Sequence, residues 1–87
     1  MSKDKLIKEG VEAERILDNE IFKKALKNLT DEYIQHWLQS RNIDDVKLRE
    51  DLHKAILLIP QVERHLRIIA EKGKITKHEI NKLKNPR

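Results

Sequence analysis

The chain has 87 residues, enough for one domain, and carries a net charge of +4 with 39% charged and 38% hydrophobic residues. Without cysteine it forms neither disulfides nor thiolate metal sites. Two glycines and two prolines exclude a collagen-like chain and leave too few turn signals for an all-β domain, whereas abundant Lys, Glu, Leu and Ile favour an all-α fold.

Residues 1–18 form either an arm or a separate short helix. Leu6/Ile7, Val11 and Ile16/Leu17 drift around a helix rather than holding one stripe. Asp18-Asn19 interrupts the apolar pattern, and Asn19 fits an N-cap for a helix over 19–39. Thr30-Asp31-Glu32 offers a second restart. Within 19–39, Phe22, Leu26, Leu29, Tyr33 and Trp37 recur at steps of three and four and make one apolar stripe. The helical spacing makes these residues core first and a partner-binding hot spot second. Ser40-Arg41-Asn42 reads as a turn, with Asn42 or Asp44 capping the next helix.

A long heptad helix is predicted over 44–72. Leu48, Leu52, Ala55, Ile59, Val62, Leu66 and Ile69 alternate steps of four and three, which is an unbroken coiled-coil seam. Pro60 lies inside it and either kinks the helix or divides it in two. Residues 55–59 are five consecutive apolar positions that cover every face of a helix. Two helices cannot bury all of them, so either the N-terminal segment or a second chain must cover the rest. The second chain is favoured, because two helices bury little apolar surface. Gly73 fits a C-cap, and Thr76-Lys77-His78-Glu79 fits a capping box that opens a short basic helix over 76–85. The expected architecture is a long helical hairpin with a short C-terminal helix, completed into a bundle by self-association.

The charge is uneven. Residues 64–87 hold eight bases and two acids, a net of +6, while residues 1–63 are at −2. Lys72, Lys74, Lys77, Lys82, Lys84 and Arg87 are therefore the candidates for contact with phosphate, without sequence readout. The tail has no aromatic residue, so it offers no base-stacking platform. A helix-turn-helix over 30–52 is opposed by Asp44, Asp45, Glu50 and Asp51, which would face the nucleic acid with negative charge.

Signs of catalysis are sparse. Ser2, Ser40, Thr30 and Thr76 read as terminal, turn or cap residues. No two of His36, His53, His65 and His78 stand four residues apart, the spacing of a helical metal site. Gly10 and Gly73 stand alone, so there is no phosphate-cradling loop. The expectation is a protein that is not an enzyme, with no cofactor, no metal and no small-molecule substrate. No apolar run approaches the ~18 residues of a membrane span, and no apolar segment follows Met1–Lys5 as in a signal peptide. A cytoplasmic location is the corresponding expectation.

The set Ala13-Glu14-Arg15-Ile16-Leu17, Phe22, Ala25, Tyr33-Ile34, Trp37, Arg49-Glu50 with Leu52, His65-Leu66 and Gly73-Lys74-Ile75 resembles small helical proteins encoded in tailed-phage genomes. That resemblance implies a phage origin, a non-enzymatic role and residence in the host cytoplasm or the virion. Small terminase subunits, which are short, helical, oligomeric DNA-packaging components, are similar in kind. No functional residue is carried over from either group.

Overall fold

The computed structural model describes residues 2–40 and 45–84, and all of its regular elements are helices. They are α1 (Lys3–Asp18), α2 (Glu20–Gln39) and α3 (Val46–Lys84). The architecture is all-α, as the composition and the 3.6-residue periodicity predict. The molecule is 65 Å long and 21–23 Å across.

Local chemistry places each boundary. Ser2 caps α1, its Oγ accepting from the Lys5 amide at 3.2 Å. Asn19 is the hinge between α1 and α2. Its extended backbone ends one helix, and its Oδ1 accepts the Phe22 amide at 2.9 Å to start the next. Within the expected arm or short helix over 1–18, residues 3–18 are thus a helix docked on the body. Thr30 starts nothing. Its hydroxyl donates to the Leu26 carbonyl at 2.8 Å within an unbroken α2. The candidate caps Asn42 and Asp44 and the centre of the predicted turn lie outside the described residues.

α3 runs continuously where the sequence reading has two helices, 44–72 and 76–85. Two observations explain the difference. Gly73 has no positive φ, so it does not adopt the left-handed conformation of a C-cap. Thr76 does not cap a new helix either, because its hydroxyl donates to the Lys72 carbonyl at 2.7 Å. Pro60 does not divide the helix. It is exposed, and it removes one amide partner from the turn that begins at Ile56.

α1 and α2 together run antiparallel to α3. Gly10 meets Gly73, Glu14 meets Lys74, and Trp37 meets Arg49, so residue numbers fall on one side as they rise on the other. α1 packs on the C-terminal half of α3 more intimately than α2 packs on the N-terminal half. The reason is side-chain size. Gly10, Ala13, Ala70, Gly73 and Thr76 line the α1–α3 contact and are buried. α2 has no buried residue at all.

Candidate association surface

The heptad residues of α3 divide into two sets. Ile59 is buried and Leu52 and Leu66 are half-buried; with Ile56, Ala70 and Gly73 they form the seam against α1 and α2. From α2, Phe22, Leu26, Tyr33 and Trp37 are half-buried along the same contact. Leu48, Ala55, Val62 and Ile69 lie one step round the helix. Ala55 is half-buried, but Leu48 is 51% exposed, Val62 47% and Ile69 38%. Spaced seven apart, they form a straight stripe on one flank of the hairpin. Leu58, 63% exposed, widens it. The antiparallel register brings Leu29 level with Ala55, and Leu29 is itself exposed.

The opposite flank is different in kind. A groove there is lined by Glu14, Lys23, Glu63, Arg67 and Lys74 around Leu17 and Ala70. Lys74 pairs with Glu14 at 2.8 Å, and that hydrogen bond, with the carboxylate charge, holds the Lys74 ammonium above its usual pKa. Lys27 pairs with Asp31 at 3.1 Å on α2. One side of the rod is therefore laced with ion pairs, and the other carries the apolar stripe, with His36, Gln39 and Asp45 beside Leu48 at its loop end.

The loop end of the hairpin is held by Arg49. Its guanidinium lies 4.5 Å from the centre of the Trp37 ring. It also donates to the Trp37 carbonyl at 3.0 Å and to the Ser40 carbonyl, satisfying oxygens that the end of α2 leaves open. Ser40 is buried beneath it, its hydroxyl donating to the Trp37 carbonyl at 2.7 Å. Sequence reasoning missed this clamp. The signal was a lone arginine early in a predicted helix, a position where the helix dipole favours acids.

Of the candidate phosphate contacts, Lys72, Lys77, Lys82 and Lys84 are exposed, Lys74 is engaged by Glu14, and Arg87 lies outside the described residues. The fold brings Lys3, Lys5 and Lys8 of α1 to the same end of the rod. No cluster of three or more metal-ligating side chains occurs among the described residues. Among them, too, no helix is long and apolar enough to cross a membrane. Comparison with protein families, curated proteins and solved structures finds no match to this chain.

Proposed function

We propose that this chain is a non-enzymatic helical oligomerisation or scaffold protein of phage type, which works by pairing its apolar flank with further copies of itself. One observation carries the reading: the single hairpin leaves too much surface open. Its accessible surface is 7369 Å². A compact monomer of this mass would expose about 5,400 Å². The excess, about 2,000 Å², is the share one protomer contributes to a large homodimer interface. Among the described residues, Ala13, Ile59 and Ala70 are the buried hydrophobic ones, and no large side chain is fully buried. Association would supply the missing core.

Absolute mass in solution, by light scattering after size exclusion at low and high salt, tests it. A dimer or tetramer at both salts is expected, since apolar burial resists screening. A monomer at high concentration overturns the reading.

A second reading, a nucleic-acid-binding component such as a DNA-packaging subunit, is favoured by the meeting of α1 lysines with the basic end of α3. Binding to duplex should then weaken steeply with salt. Deleting residues 74–87 is a poor test, because Thr76 and Ile80 belong to the α1 contact. Replacing Lys72, Lys77, Lys82 and Lys84 with glutamine leaves that contact in place. Duplex affinity at low salt that is unchanged by those replacements removes this reading.

A further inference from the structure

The apolar stripe, the charges beside it and the polarity of the whole rod together specify how a second copy sits. The stripe extends from Leu48 to Ile69, and its midpoint falls between Leu58 and Ile59. Suppose a two-fold axis passes there, perpendicular to α3. Leu48 of one copy then faces Ile69 of the other, Ala55 faces Val62, and the two Leu58 side chains come within one residue of each other at the axis. Large residues meet at the two ends and at the centre, and the small Ala55 lies against the larger Val62 between them.

The flanking charges agree with that register. Under the same symmetry Asp51 comes level with His65 to within one residue, both on the edge of the stripe that carries Leu58. A parallel arrangement sets Asp51 on Asp51, which costs affinity at close quarters. The ends of the rod follow the same rule. Residues 31–40 and 45–53 at the loop end hold five acids and two bases, a net of −3. Residues 2–9 and 71–84 form the open end and hold eight lysines and four acids, a net of +4. Head-to-tail packing puts the positive end of one copy beside the negative end of the other. Parallel packing puts like ends together.

We infer that the occupant of the apolar flank is a second copy of this chain docked antiparallel, with the two-fold axis near Leu58, forming a four-helix bundle with a basic end at each pole. The inference rests on the self-association proposed above and adds its geometry. In the bundle, Leu29 lies beside the α3 stripe and closes the edge of the shared core. Lys72, Lys77, Lys82 and Lys84 of the two copies stay far apart, so any polyanion engages them as two separate sites.

The absence of native cysteine makes a single spin label unambiguous. His78→Cys places it on an exposed position of α3, away from both the hairpin seam and the apolar stripe. At a rise of about 1.5 Å per residue, the antiparallel bundle separates the two labels by about 60 Å, whereas parallel packing holds them within roughly 25 Å. Dipolar electron spin resonance reads this distance, with mass measured on the same labelled sample. A dimer with the long distance is the expected result. A dimer with a short distance overturns the antiparallel geometry and leaves self-association standing. A monomer without dipolar coupling overturns self-association itself, and a larger assembly with several distances overturns the dimeric bundle. Charge reversal supplies an independent readout. His65→Glu, which sets a second carboxylate against Asp51, should weaken the dimer about three- to tenfold, and adding Asp51→Lys should restore it. Loss without restoration in the double variant overturns the register.

Discussion

Gly10 and Gly73 are the only glycines in the chain, and the fold sets them face to face. Each sits within a helix, where glycine costs about 1 kcal/mol relative to alanine. Neither uses its freedom to take a positive φ. The compensation is proximity. A Cβ built on Gly10 would lie 2.8 Å from the Gly73 Cα, and one on Gly73 would lie 2.8 Å from the Gly10 Cα and 3.0 Å from the Leu6 carbonyl oxygen. Those neighbours are backbone and cannot rotate aside. Gly10→Ala should therefore force the helices apart and destabilise the protein by about 1–3 kcal/mol despite the better helix propensity. Urea unfolding followed by circular dichroism measures it, and a gain in stability would show that the contact is looser than described. The sequence alone could not decide between a cap and a close approach for Gly73. A lone glycine after Glu71-Lys72 fits both, and the choice depends on a partner 63 positions away. Arg49 was illegible for the same reason: its targets, Trp37 and Ser40, belong to the other arm of the hairpin.

At the scale of elements, the helical stripes and the Asn19 hinge were legible because their causes are local. Periodicity places α2 and the core of α3, and a capping side chain three residues before an amide places the junction. The heptad seam was legible as a pattern, but its use was not. Steps of four and three along α3 define one apolar strip, and the hairpin consumes only part of its width. Leu52, Ile59 and Leu66 turn toward α1 and α2, while Leu48, Val62 and Ile69 remain open on the flank. This division predicts two different outcomes for the same kind of substitution. Ile59→Asp places a carboxylate inside the hairpin without a partner, a cost of several kcal/mol, and should unfold the chain. Val62→Glu places its charge on the exposed stripe, where the isolated hairpin tolerates it. It should shift the mass toward monomer at concentrations where the hairpin remains helical. Mass and helicity recorded together separate the two. If Val62→Glu alters neither quantity, the stripe is not an interface.

For the whole molecule, shape is the physical constraint. The radius of gyration is 19.1 Å. A compact domain of this length has about 12 Å. A rod of two helical layers has no interior in which to hide its remaining apolar surface, and the α2–α3 half is the less well packed. Its stability should therefore depend on how many rods are present. If two copies unfold together, free energy per dimer changes by about 1.4 kcal/mol for each tenfold change in concentration. Spread over the unfolding entropy of two 87-residue chains, that is a shift in Tm of about 4 °C. Melting curves across a hundredfold dilution should move by about 8 °C in total, with the lower Tm at the lower concentration. A Tm that stays constant across that range would mean that each rod is stable by itself. The short side chains at the Gly10–Gly73 crossing and the Arg49 clamp at the other end would then be sufficient to hold two helical layers together without a shared core.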